Sequence, residues 1–271
     1  MERREFRKTL LTLEYDGSGF AGWQRQAAFR TVQEEVEKAV SRAVGQETRV
    51  WGASRTDAGV SALGQRAHFY NYSTIPTEKF PFVLNTMLPP DIRVRAAREI
   101  PEGFHARFSC RGKIYTYRIY NNRHASAIRR HMTTHVPVPV DADKMREAAQ
   151  KFLGVHDFAA FQASGGTAKT TVRAIFGLDV DRQGDDITLT VRGSAFLYNM
   201  VRIMAGTLIA IGQDRLPPSC IDEALETGDR LVLGITAPPT GLELTRIFYD
   251  LPGDEPPADM RMYGNGEEAD E

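Results

Sequence analysis

Read as a pattern of apolar and polar positions, the chain opens with a strand from Thr9 to Tyr15 that stops at the turn pair Asp16-Gly17. A helix follows from Thr31. Val32, Val36, Ala39, Val40 and Ala43 recur at helical spacing, Thr31 with Glu34 makes a capping-box signature, and Gly45 supplies the stop. A short strand near Thr48 to Gly52, a strand from Gln65 to Tyr72, a helix from Thr77 to Asn85 and a strand from Ile92 to Glu99 complete the first half. It reads strand-helix-strand-strand-helix-strand.

The second half starts with a strand over Lys113 to Tyr120 and a helix from Asp141 to Leu153 that Gly154 stops. Alternating strands from Phe176 to Val180 and Ile187 to Val191, a long apolar helix from Phe196 to Ile211 and a last strand from Leu242 to Tyr249 follow. The same order of elements occurs twice. This predicts an α+β fold of two related lobes, 1–110 and 111–252, each a mostly antiparallel sheet with helices on one face, and an active-site groove between the lobes.

Composition changes this picture little: 271 residues, 42% hydrophobic and 25% charged, fit an ordinary globular chain and name no function. The charged N-terminus has no apolar core behind it and no apolar stretch approaches membrane-spanning length, so a cytoplasmic protein without membrane contact is expected. Cys110 and Cys220 stand far apart with no metal-ligand spacing, which suggests neither a disulfide nor structural zinc.

Net charge does matter. A value of −1 argues against a nucleic-acid partner until its distribution is read: from Gly253 onward the chain carries seven acids and one base. The preceding 252 residues therefore hold +5. The stretch 253–271 is rich in Pro, Gly and acid, and a disordered acidic tail is expected there.

Several motifs compete for the chemistry. Gly17-Ser-Gly-Phe-Ala-Gly22 matches a dinucleotide fingerprint, but in that fold the helix opens within the glycines, and here its cap comes nine residues after Gly22. The stretch Ala21-Gly-Trp-Gln-Arg-Gln26 suits an aromatic and basic loop instead, with Arg25 a candidate RNA contact. Ser164-Gly-Gly-Thr-Ala-Lys-Thr170 lacks the glycine a P-loop needs before its lysine and reads as a flexible loop placing Lys169 near phosphate. His131 and His135 have helical metal-site spacing, yet Val136-Pro-Val-Pro-Val140 opposes a helix and no acid completes a set. Arg123, His124, Arg129, Arg130 and His131 form a basic cluster that serves as a solvated surface or an RNA-backbone contact.

The strongest local signal is Arg55-Thr56-Asp57, bracketed by Gly52, Gly59 and Gly64 between two strands. Taken alone, such an Asp reads first as a turn residue. Arg202 alters the balance, because it is the only charge among the sixteen residues from Phe196 to Ile211. Either it snorkels outward at the helix edge, or it is buried and needs a carboxylate partner. Tyr115 and Tyr117 share one strand face, with Tyr120 on the other.

These residues resemble a known family, the TruA-like tRNA pseudouridine synthases, from about Leu11 to Tyr249. Six separated motifs agree in order: Tyr15 to Gln26, Arg55 to Val60, Phe104 to Ser109, Tyr115-Thr-Tyr117, Gly154 to Phe158 and Phe196 to Arg202. The resemblance implies that Asp57 is the catalytic nucleophile, that Tyr115 stacks on the target uracil and serves as a candidate general base, that Arg202 pairs with Asp57, and that Arg55 helps extrude the nucleotide. It further implies a homodimer acting on tRNA at positions 38, 39 and 40 of the anticodon stem and loop, with no metal or organic cofactor. Two positions depart from the family pattern: Ser54 stands where glycine is usual, and Ser61 where histidine is usual. The competing reading from another class is a non-catalytic RNA-binding protein using Tyr115 and Tyr117 as a stacking platform. It accounts for the charge distribution, but not for a lone arginine in an apolar helix together with an acid on a glycine-bounded turn.

Overall fold

The computed structural model describes residues 6–261. It divides into two compact units, Met1–Cys110 with Leu244–Asp254, and Arg111–Glu243 with Glu255–Glu271. Of the segment expected to be a disordered tail, residues 262–271 lie outside the described residues.

In the first unit, β1 (Arg7–Tyr15) runs antiparallel to both β3 (Ser61–Asn71) and β4 (Ile92–Ile100), and the short β2 (Trp51–Gly52) pairs with β3. Helices α1 (Val32–Val44) and α2 (Phe80–Asn85) supply Val32, Val36, Val40, Phe80 and Leu84 to a core completed by Leu11, Leu13, Ala67 and Phe69. Phe69 and Phe80 meet edge-on at 5.2 Å. Each fully buried Val, Leu or Phe side chain of this core stabilises the fold by roughly 1.5–3 kcal/mol. β1 is paired along both edges and its side chains are buried on both faces, Leu10 being as inaccessible as Leu11. The segment around Ala106 lies against the adjoining β3 through its N–H, which donates to His68 Nδ1 at 3.2 Å.

The capping box does not form. Thr31 makes no side-chain cap, and its buried hydroxyl finds no partner among the described residues. Carbonyls of the preceding loop take the first helical donors instead: Val32 N–H donates to Gly22 O at 3.2 Å and Gln33 N–H to Trp23 O at 2.9 Å. Those bonds tie the glycine-rich loop onto the helix start, so the helix N-terminus is already occupied by backbone oxygens rather than open to a pyrophosphate.

The second unit holds β5 (Gly112–Tyr120), β6 (Thr134–His135), α3 (Ala142–Ala149), β7 (Gly154–Asp157), β8 (Val172–Gln183), β9 (Asp186–Gly193), α4 (Met200–Gly212) and α5 (Ser219–Thr227). β5, β9, β8 and β7 pair in that order, all antiparallel, and β6 adds a two-residue parallel pairing to β5. The order β5-β9-β8 repeats β1-β3-β2 of the first unit. β9 shows the clearest period of two, with Ile187, Leu189 and Val191 inward, and α3 and α4 bring Met145, Ala149, Ile203, Met204 and Leu208 to this core.

Several elements differ from the pattern-based expectation, which contains neither β6 nor β7. Helix α4 begins at Met200 rather than Phe196, because Asn199 adopts the left-handed conformation at φ 62° and fixes the start. Helix α3 ends at Ala149 and continues to Phe152 only as a 3₁₀ turn, while the Asp141 side chain caps it by accepting from Asp143 and Lys144 N–H. α5 has no counterpart in the predicted elements, being a short helix that buries only Cys220, Ile221 and Ala224.

The last strand, β10 (Leu242–Phe248), carries the chain back, and from Leu244 it belongs to the first unit, beside β3. Tyr249 is buried there, packing on Phe104 at 4.9 Å and donating its hydroxyl to Ala106 O at 2.7 Å. Asp254, the first acid of the expected tail, is also buried and forms ion pairs with Arg66 and Arg98. Two cations on sheet strands give this carboxylate a reason to dock that the composition of the stretch does not reveal. A four-residue helix, α6 (Ala258–Arg261), ends the described chain.

Candidate active site

Asp57 sits on the connection between β2 and β3. Backbone pairing of β2 with β3 extends one residue beyond the strand, with Ala53 N–H donating to Arg66 O at 2.8 Å. The Gln65 side chain then takes over: its Oε1 accepts from Ser54 N–H at 3.2 Å and its Nε2 donates to Ser54 O at 2.7 Å. Thr56 is held next, its hydroxyl 2.7 Å from Tyr15 Oη and its carbonyl accepting from Trp23 N–H at 3.0 Å. The segment alternates accordingly. Ser54 and Thr56 are buried, whereas Arg55 is exposed and Asp57 half-buried, which is the extended pattern of successive residues facing opposite sides. Val60 N–H closes the turn on Asp57 O at 3.1 Å.

The fingerprint-like glycines shape this turn. A Cβ at Gly17 would lie 2.1 Å from Val60 O, and one at Gly22, where φ is +96°, would lie 2.6 Å from Thr56 O. Close backbone approach between the two loops therefore requires glycine at both places. Phe20 O accepts from Gly59 N–H at 3.3 Å, and Arg30 braces the loop through a bidentate pair with Asp91 at 2.7 and 3.0 Å while lying over the Phe20 ring. Ser61, one of the two departures, uses its hydroxyl to accept from Gly17 N–H at 3.0 Å. Ser54, the other, keeps both backbone groups bonded to Gln65.

Burial pushes the Tyr15 phenol well above its ordinary value, against the opposing hydrogen bonds with Thr56 and Gln65, so it remains protonated. His68 on β3 is pushed down to about 3, first by burial and then by the nearby His105 and Lys8. It is held neutral.

In the second unit, Tyr115 lies on β5 opposite Val191, buried, with its ring edge-on to Phe196 at 5.1 Å. Tyr117 is fully buried, and its hydroxyl bonds to Thr134 Oγ1 at 2.6 Å and Pro238 O at 2.8 Å. Burial raises this phenol, while Thr134 and the positive charge of Arg202 act the other way. Arg202 occupies the first turn of α4, donating from Nε to Ala237 O at 2.8 Å and from Nη1 to Asn199 Oδ1 at 2.6 Å, and its own carbonyl accepts from Ala237 N–H at 3.0 Å. Gly206 and Gly234 allow the approach of the 234–237 segment: a Cβ on Gly206 would be 1.8 Å from Ile235 O.

Arg55 and Asp57 thus emerge together from one segment of the first unit, and Tyr115 and Arg202 belong to the second. Arg25 is exposed, 3.5 Å from Glu37, and Lys169 is exposed on the loop before β8. In the basic cluster, Arg129 pairs with Asp186 and lies over Tyr120, and His135 Nε2 meets Asn122 O at 2.7 Å. No helix among the described residues is long and apolar enough to cross a membrane. Gln65 and Tyr15 were not singled out by sequence reasoning. The available signal was a polar residue two positions before Ala67 and four before Phe69, on the strand face that the period of two sends inward.

Comparison with known proteins bears on the same stretches. A family model described as tRNA pseudouridine synthase matches residues 12–109 and 148–250. Tested against individual proteins, the chain is 49% identical over 244 residues to a tRNA pseudouridine synthase A of Ruminiclostridium cellulolyticum, a match covering 90% of this chain and all of that protein. It is 43% identical over 243 residues to tRNA pseudouridine synthase A 2 of Clostridium perfringens and 44% identical to tRNA pseudouridine synthase A of Geotalea daltonii, again over 90% of this chain and all of each relative. Among solved structures, an H/ACA RNP bound to a substrate RNA matches at a TM-score of 0.39 and 13% identity, over 75% of this chain and only 44% of that chain. That likeness is too weak to support an argument, but the sequence relationships are not, and the chain belongs to the tRNA pseudouridine synthase family.

Proposed function

We propose that this chain isomerises uridine to pseudouridine in the anticodon stem and loop of tRNA, at positions 38, 39 and 40, with Asp57 as the nucleophile. The observation that carries this reading is the anchored alternation of residues 54–57, in which two buried residues leave an arginine and a carboxylate side by side on the outward edge. The reaction breaks the bond between ribose C1′ and uracil N1, turns the base and rejoins it through C5. Atoms and electrons balance without an added reactant. Asp57 attacks C1′ of the ribose or C6 of the base, or else assists deprotonation of the sugar, each of which requires an ionised carboxylate.

Arg202 is proposed to keep Asp57 ionised and aimed. A cation in the first turn of a helix opposes the positive end of the helix dipole, a cost that a neighbouring carboxylate offsets, and the same cation favours the charged form of the acid. Tyr115 is proposed to stack on the target uracil once the base is flipped from its helix, and Arg55 to occupy the space it leaves. Arg25 and Lys169 serve as phosphate contacts, and a cytoplasmic homodimer grips tRNA across both subunits.

The test is tritium release from tRNA labelled at uracil C5, with tRNA binding measured in parallel. Asp57→Ala is expected to lose turnover while binding tRNA as tightly as the parent, and carbodiimide mapping of parent-treated tRNA to show pseudouridine at positions 38 to 40. Full release by the variant would sink the assignment of Asp57. A parent protein that binds tRNA without releasing tritium would instead support the RNA-binding alternative.

A further inference from the structure

We propose that Gln65, acting with Tyr15, is a positioning residue that sets the register of the 54–57 segment and so aims Asp57 and Arg55 outward. The inference rests on the reading of Asp57 as nucleophile. β2 and β3 pair by backbone only through Ala53, after which the connection must leave the ladder to make its turn. At that point the fully buried Gln65 carboxamide substitutes for a peptide group, accepting from Ser54 N–H and donating to Ser54 O, so that Ser54 stays fixed as though the strand continued. The second Nε2 hydrogen points to Tyr15 Oη at 3.4 Å, leaving the phenolic hydrogen for Thr56 Oγ1 at 2.7 Å. One side chain thus anchors position 54 directly and position 56 through a tyrosine.

Register is the consequence. In extended backbone a shift of one residue exchanges the two faces, and here that would turn Asp57 and Arg55 inward and Ser54 and Thr56 outward. Neither Gln65 nor Tyr15 needs to touch the RNA to matter, because misplacing a reacting group by about 1 Å costs on the order of 100-fold in rate. The hydrogen-bond directions also make the amide irreplaceable by its own isostere when ionised. A carboxylate at 65 still accepts from Ser54 N–H, but it presents a second acceptor to Ser54 O.

The experiment uses the full chain carrying Gln65→Glu or Tyr15→Phe, with single-turnover tritium release and tRNA Kd followed from pH 6 to pH 9. Gln65→Glu is expected to fall about 100-fold in rate at pH 9 with tRNA Kd within about threefold of the parent. Its rate relative to the parent should then recover at least about tenfold toward pH 6, as the carboxyl gains the proton that lets it donate to Ser54 O. A merely volumetric role for Gln65 would leave that ratio independent of pH. Tyr15→Phe should lower the single-turnover rate about tenfold at every pH, the size of one lost hydrogen bond, again without weakening tRNA binding. A parent-like rate for Gln65→Glu at pH 9, or a loss that is flat in pH, overturns the proposal. If that variant does not fold, a parent-like rate for Tyr15→Phe does so instead. Asp57→Ala, run alongside, separates the outcomes: activity in that variant removes the nucleophile assignment, whereas an inactive Asp57→Ala with parent-like Gln65→Glu removes only the positioning role.

Discussion

His68 shows how a single buried side chain couples this fold to pH. Ala106 N–H donates to its Nδ1, so the neutral tautomer carries its hydrogen on Nε2, and the ring is stacked on Trp51 at 5.2 Å and edge-on to His105 at 4.7 Å. Protonation would remove the acceptor and place a cation among His105 and Lys8, which is why burial and those neighbours push the group down to about 3. In the unfolded chain it titrates near its ordinary value of about 6.5. The unfolded state therefore binds more protons between about pH 6.5 and pH 3, and the stabilisation present above that window is lost as the pH falls through it. Urea denaturation at pH 7.5 and pH 5 should show the parent losing stability on acidification. His68→Phe should be less stable at pH 7.5 by about 1–3 kcal/mol, from the orphaned Ala106 N–H, yet distinctly flatter in pH. An equal pH slope in parent and variant would assign the acid sensitivity to other groups.

At the scale of an element, α4 is placed by absent side chains more than by its apolar face. Gly206 and the facing Gly234 let the helix backbone meet the 234–237 segment, and that contact positions Ala237 to accept from and donate to Arg202. Alanine is favoured over glycine by about 1 kcal/mol in a helix interior, so Gly206→Ala should stabilise α4 if helix propensity governed. The Cβ would, however, stand 1.8 Å from the carbonyl oxygen of Ile235, and backbone cannot yield as a flexible side chain can. A loss of about 3 kcal/mol or more is expected by chemical denaturation. Gly103→Ala, where an added Cβ meets nothing within 4 Å, should stay within about 0.5 kcal/mol of the parent and serves as the control.

For the molecule as a whole, charge distribution matters more than net charge. Residues 262–271 carry four acids and no base, so removing them takes the formal charge from −1 to +3. Asp254 precedes this stretch and keeps its pairs with Arg66 and Arg98. Truncation after residue 261 should therefore tighten tRNA binding by about threefold or more at low salt, with the gain fading as salt rises. Filter binding across a salt series measures both, and a gain that persists at high salt would point to something other than charge.

Periodicity and punctuation were enough to determine the order of the main elements, the α+β class and the residues that carry the family resemblance, because these depend on local spacing: inward positions two apart on β9, three and four apart on α1, glycines where turns must be tight. Asp57 on its glycine-bounded turn and Arg202 alone in an apolar helix are local signals of the same kind, whereas the roles proposed for Arg55 and Tyr115 come from the family resemblance. What the sequence left open was every choice made by distant partners. The start of α1 is satisfied by Gly22 and Trp23 carbonyls rather than its own Thr31, α4 starts where Asn199 turns left-handed, and Asp254 docks because Arg66 and Arg98 stand on strands more than 150 residues earlier. The glycines that imitate a nucleotide fingerprint acquire their purpose only once Gly17 and Gly22 are seen against Val60 and Thr56. Gln65 is the sharpest case. In the sequence it is one polar residue in a strand, and only tertiary structure, by bringing Ser54 and Tyr15 within reach of one carboxamide, makes it the hydrogen-bonding centre of the turn that carries Asp57.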